Sequence, residues 1–190
     1  MKNQLVLVSL ALSLALGAAQ ASAETTSVQT TTQKWTTGWD NFSEPLDLTH
    51  STVKWSVSPA RKLTITFTLA KATPNKLYQV ALQLFCNTSP ATFGNYPVVF
   101  TNSGNCVSVT KQGVTKTTAA VELGVVTTDI HGNGSLKVVV GPIASGTYEV
   151  EFDAQDGAGC FLIGGNNICA AADFQSPGPK FGDATTITIP

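Results

Sequence analysis

The nine residues from Lys62 to Ala70 constrain this chain more than any others, because Leu63, Ile65, Phe67 and Leu69 alternate without a break against Thr64, Thr66 and Thr68. In a strand that spacing puts four apolar side chains on one face and three threonines on the other; a helix would split the four between opposite sides. The segment therefore reads as a half-buried β-strand, and its apolar face requires a second layer. The same period recurs in Leu46 to Ser58, through Val53, Trp55 and Val57, and in Leu77 to Cys86, through Tyr78, Val80, Leu82 and Leu84. A helix competes for Leu77 to Phe85, but the alternation outweighs it. Shorter runs at Pro97 to Thr101 and Cys106 to Thr110 flank the turn-forming Asn102 Ser103 Gly104 Asn105. Ala119 to Thr128, Ser135 to Val140, Thr147 to Ala154 and Ala184 to Ile189 complete the series. The expectation is an all-β chain, an antiparallel β-sandwich of about eight strands. Its predicted core is Trp55, Phe67, Leu69, Leu82, Leu84, Val126, Val138, Val140, Tyr148, Val150 and Phe152. A closed barrel fits the strand count nearly as well.

Composition agrees with strands, since charged residues make up 12% of the chain, about half the usual share, while threonine and valine are abundant. Ahead of the strands, Lys2, an apolar run from Leu5 to Ala19 and the tripeptide Ala21 Ser22 Ala23 have the form of a secretory signal peptide cut after Ala23. The expected organisation is residues 1–23 as leader, 24–45 as an extended Thr-rich arm or edge strand, and 46–190 as one domain. No second apolar run of ~20 residues follows, and no cysteine sits at the cleavage point to take a lipid. An exported protein, secreted, periplasmic or held at the cell surface by contact, is the expectation. In an oxidising compartment Cys86, Cys106, Cys160 and Cys169 read as two disulfides, and of the three pairings Cys86 with Cys106 and Cys160 with Cys169 is favoured, each closing a short Gly/Asn-containing segment. Zinc would need closer Cys or His pairs.

The stretch Thr127 to Phe152, TTDIHGNGSLKVVVGPIASGTYEVEF, resembles the strand–turn–strand pattern of immunoglobulin-like and transthyretin-like modules in bacterial exported and surface proteins. The carriers are the T-D-x-x-G-x-G turn and the later P-x-x-x-G-x-Y entry to a strand. The resemblance implies a sandwich fold and leaves open adhesion, spacing, ligand binding and assembly. Glycines 132 and 134 are expected to supply positive φ at the turn. The two cysteine pairs and the long segment Gly157 to Lys180 depart from the short generic module.

Chemistry is narrowed mainly by what is missing. Without the leader's Lys2, ten basic residues stand against twelve acidic, with no basic run beyond Arg61 Lys62, so a nucleic-acid partner is not expected. Two histidines, His50 and His131, cannot make a copper–zinc cluster. Asp129, His131, Asn133 and Gly134 match the start of an EF-hand loop, but its twelfth position is Val140 rather than a bidentate acid. Asp129, Asp153 and Asp156 read as solvated turn acids, a looser calcium site being the lesser alternative. No nucleophile-elbow or metalloprotease motif occurs. Glu149, Glu151 and Asp153 alternate along one strand and read as a solvent face rather than a glycosidase pair. No cofactor is expected. Trp35, Trp39 and Tyr96 are the candidates for stacking on a sugar ring, with the competing and favoured reading that the two tryptophans close one end of the core. The leading functional expectation is a non-catalytic protein acting by contact with a surface glycan or envelope protein. A secreted enzyme with its site in residues 157–180 and an assembly subunit that donates its N-terminal arm are the alternatives.

Overall fold

A computed structural model describes residues 29–38, 43–85, 107–111, 113–143, 145–156, 160–163, 166–169 and 173–190. Among them there is no helix, and so none long and apolar enough to cross a membrane. The strands, in chain order, are β1 (Gln29–Lys34), β2 (Thr36–Thr37), β3 (Thr52–Val57), β4 (Leu63–Leu69), β5 (Leu77–Phe85), β6 (Val107–Lys111), β7 (Val114–Thr127), β8 (Gly134–Val140), β9 (Gly146–Gln155), β10 (Cys160–Ile163), β11 (Asn166–Cys169), β12 (Phe174–Ser176) and β13 (Thr185–Ile189).

Two antiparallel sheets share one core. A four-stranded sheet runs β1-β3-β4-β8; a seven-stranded sheet runs β2-β12-β9-β5-β7-β6, with β13 joined to β9 beside β12. The count exceeds eight because β1, β2 and β12 are short strands that carry no apolar stripe, and because β10 and β11 pair within the segment expected to be irregular; the run expected at Cys106 to Thr110 is β6, and that at Pro97 to Thr101 lies outside the described residues. Of the two expectations for the N-terminal stretch, Gln29–Lys34 takes the edge strand, antiparallel to β3 of its own chain. The sheets thus take in residues ahead of Leu46.

Strand β4 alternates buried and half-buried without exception, as its sequence requires. Its four apolar side chains meet Leu82, Val150 and Phe152 of the opposite sheet in a single cluster, Phe67 packing edge-on to Phe152 at a centroid distance of 6.0 Å. All the core residues predicted from the sequence lie in that cluster or, for Val138 and Val140, pack against it half-buried. The chain passes from β7 in one sheet to β8 in the other through the 128–133 turn. There Asp129 Oδ1 accepts from the backbone N–H groups of His131 and Asn133, both at 2.8 Å. Gly132 takes φ +76°, and a Cβ there would lie 2.0 Å from the carbonyl oxygen of Ala72. Gly134 does not use positive φ; it opens β8 where the Thr127 carbonyl leaves no room for a side chain.

Candidate functional site

Period-two alternation gives the four-stranded sheet a second face, turned away from the core. The register puts its residues in three ranks across β1, β3, β4 and β8: Thr30, Ser56, Thr64, Val139; Thr32, Lys54, Thr66, Lys137; and Lys34, Thr52, Thr68, Ser135. None of the twelve is buried. Eight carry hydroxyls, three are lysines and one is valine; the face holds no carboxylate and no aromatic ring. Adjacent strands lie ~4.8 Å apart and like-facing residues along a strand about 6.7 Å apart, so the hydroxyls form a nearly regular grid. Each can donate and accept. Among the described residues its side-chain hydrogen bonds are Ser135 Oγ donating to the Phe67 carbonyl at 2.9 Å and Lys34 Nζ donating to the Thr49 carbonyl. Sequence reading had the threonines facing away from the core but could not assemble the grid, because the register that aligns Lys54 with Lys137 joins strands far apart in sequence.

A polar cluster closes one end of the molecule. Glu44 Oε2 accepts from Tyr78 Oη at 2.6 Å and Thr73 Oγ1 at 2.9 Å, while Lys76 Nζ bridges Glu44 Oε1 and Asp156 Oδ2, the latter at 2.6 Å. Burial pushes the Glu44 carboxyl up, but the hydrogen bonds from Lys76, Tyr78 and Thr73 outweigh it and hold the group below its ordinary value. Lys76 is likewise opposed by burial, yet Asp156 and Glu44 raise it. Burial and the Glu44 contact push the Tyr78 phenol up to about 12. Asp173, 1% exposed, takes the backbone N–H of Asp156 on Oδ2 at 2.7 Å. Burial drives its carboxyl up to about 7 against that bond, with Asp156 and Glu44 adding repulsion. The ammonium is held between two carboxylates and so is no free base or nucleophile. The cluster ties the 43–47 segment to the ends of β5 and β9. Of its members the sequence singles out Asp156 as a turn acid and Tyr78 as part of the β5 core face, while Glu44, Lys76 and Asp173 share no local pattern.

One expectation is overturned on the seven-stranded sheet. Glu151 is 0% and Asp153 5% exposed, so these residues of β9 do not form a solvent face; Glu149 alone of the three is half-exposed. The reason is a cover. Phe181 packs edge-on to Phe85 at 6.2 Å, Gly182 N–H donates to Glu151 Oε2 at 3.1 Å and Gln175 Nε2 donates to the Lys180 carbonyl at 2.7 Å, which lays the 180–182 segment over the outer side of β5 and β9. Alternation tells which side of a strand faces the core; it cannot tell whether the other side is covered later in the chain.

Trp35 takes the favoured of its two readings. It is 1% exposed, stacks on Phe67 at 6.0 Å and donates Nε1–H to the Thr68 carbonyl at 3.1 Å, so it offers no ring to a ligand and closes the core instead. Trp39 and Tyr96 lie outside the described residues, as do Cys86 and Cys106. Cys160 and Cys169 are backbone register partners at the open end of the β10–β11 hairpin, in the segment expected to be irregular. His50 is exposed and pairs with Asp47, Nδ1 to Oδ2 at 3.0 Å; with Lys71 it holds the Asp47 carboxyl well below the usual range. Asp129 is lowered by the turn's own N–H donors, from Asn133 and His131, while Asp156 is engaged by Lys76. No group of three or more metal-ligating side chains occurs among the described residues. A small apolar cavity between the sheets, lined by Leu63, Leu82, Ile143, Val150, Ile187 and Tyr148 among others, brings no pair of titratable groups together.

Neither protein-family models nor curated proteins yield a match to this chain.

Proposed function

We propose that this chain is an exported, non-catalytic β-sandwich of the immunoglobulin-like kind that works by surface contact, and that the contact is made by the outer face of the four-stranded sheet. The observation that carries the proposal is the face itself. It has twelve aligned, unburied positions with hydroxyls at eight of them, and no other layer of the described chain is packed on it. A broad, flat, hydrogen-bonding surface suits an extended partner better than a small molecule, which is usually enclosed in a concave, mostly apolar pocket. The immunoglobulin-like reading draws support from the quoted stretch Thr127 to Phe152, which spans the crossing from β7 to β8 and on into β9. Cleavage after Ala23 would leave the whole of β1 in the mature chain. A Cys160–Cys169 disulfide is supported by their pairing, because partnered residues of an antiparallel ladder have Cα atoms ~4.5–5.5 Å apart, within the span that a disulfide bridges.

The test places a bulky ring at the centre of the face. Mature protein and a Thr66→Tyr variant are mixed with washed envelope from producing cells and pelleted. Tyrosine is well tolerated in a strand, so the thermal midpoint should hold while pelleting falls at least fivefold. Equal pelleting of the two folded proteins contradicts the proposal.

A further inference from the structure

We infer that the partner of this face is an acidic polysaccharide, a uronate-bearing chain lying across the strands. The inference rests on the contact reading above and adds the partner's chemistry. Lys54 and Lys137 stand in one rank with Thr66 between them, two strand spacings or about 10 Å apart, and Lys34 lies in the neighbouring rank. That interval is of the order of a disaccharide, so successive acidic sugars can meet successive ammonium groups. Among the described residues none of the three lysines forms an ion pair with a carboxylate, and no acid occupies any of the twelve positions. The whole chain carries a formal charge of −1, so this positive face is local, and it is balanced elsewhere by acids such as Glu122, Glu151 and Asp153 on the other sheet. Between the lysines, paired threonines present alternating donors and acceptors of the kind that match sugar hydroxyls, while their methyl groups cover the apolar edge of a ring.

Other polyanions fit less well. A lipid surface is engaged by large apolar side chains inserted beside the cations, and the face has only Val139. Single-stranded nucleic acid calls for aromatic stacking platforms, and the face has none.

Affinity electrophoresis of the mature protein in gels holding polygalacturonate or dextran tests the inference. The face variant is Lys34→Gln/Lys54→Gln/Lys137→Gln; the charge-matched control, on exposed residues elsewhere, is Arg61→Gln/Lys71→Gln/Lys180→Gln. Polygalacturonate should retard the native protein and the control, dextran neither, and the face variant should bind at least tenfold more weakly, with retardation weakening as salt is raised. The single substitution Lys137→Glu, on an edge strand, gives the same comparison should the triple variant lose its fold. The inference is overturned by equal weakening of both triple variants, by retardation that the face substitutions do not change, by equal retardation in dextran, or by binding to phosphatidylglycerol vesicles in place of polygalacturonate. If Thr66→Tyr reduces envelope pelleting while polygalacturonate is not bound, contact through the face stands and the acidic polysaccharide falls. If polygalacturonate binds and pelleting ignores Thr66, the contact reading falls.

Discussion

Gly132 shows how a single position fixes a crossing between sheets. It needs positive φ, and the Ala72 backbone fills the space where a Cβ would go, with Ala72 N–H donating to the Gly132 carbonyl at 2.9 Å. A left-handed conformation costs a non-glycine residue roughly 1–2 kcal/mol before any clash is counted. Gly132→Ala should therefore lower stability by at least about 2 kcal/mol in urea unfolding, whereas the same change at Gly113, which has open space around it, should cost only the conformational part. Trp35→Ala should cost about 3–5 kcal/mol, the range for emptying a large aromatic site in a core, and would mark the residue as structural. The turn glycine was legible in the sequence because T-D-x-x-G-x-G carries its own geometry. The buried acids Glu151 and Asp153 were less so, because their cover comes from the segment holding Phe181 and Gly182, remote in sequence.

Among elements, the 43–47 segment is held by the charges that join Glu44 to the ends of β5 and β9 as well as by Leu46, which packs against the core. Lys76→Met leaves the mostly buried Glu44 and Asp156 carboxylates without their shared cation, and should cost about 2 kcal/mol, measured by chemical unfolding at pH 7. The same cluster sets a pH dependence whose sign changes. Glu44 is lowered in the fold, so its contribution is present above its ordinary value near 4.5 and is lost as pH falls below that. Asp173 is raised from 3.8 to about 7, so the folded state holds its proton more tightly than the unfolded chain, and that contribution is full below pH 3.8 and lost as pH rises through 7. The melting temperature should then be highest near pH 4.5, fall as pH rises to about 7 and level off above it, and Asp173→Asn should flatten the fall; an unchanged slope in that variant would place its cause elsewhere. Strands with an apolar stripe, β3, β4, β5, β8, β9 and β13, could be read from period two alone. The marginal strands β2 and β12 could not, since two or three residues hold too little pattern and owe their conformation to pairing with each other and with β9.

For the whole molecule the two sheets differ in what they turn outward: hydroxyls and lysines on the four-stranded sheet, and carboxylates and amides partly covered by the 180–182 segment on the seven-stranded one. A chain with a formal charge of −1 conceals this polarity, because charge counted along a sequence has no direction. The most direct measurement is an amide NMR titration of the mature protein with polygalacturonate oligosaccharides. Shifts confined to residues of β1, β3, β4 and β8, centred on Lys54, Thr66 and Lys137, are the predicted result. Shifts centred on β9 and Gly182, or none at saturating oligosaccharide, would contradict contact of an acidic polysaccharide with the four-stranded face.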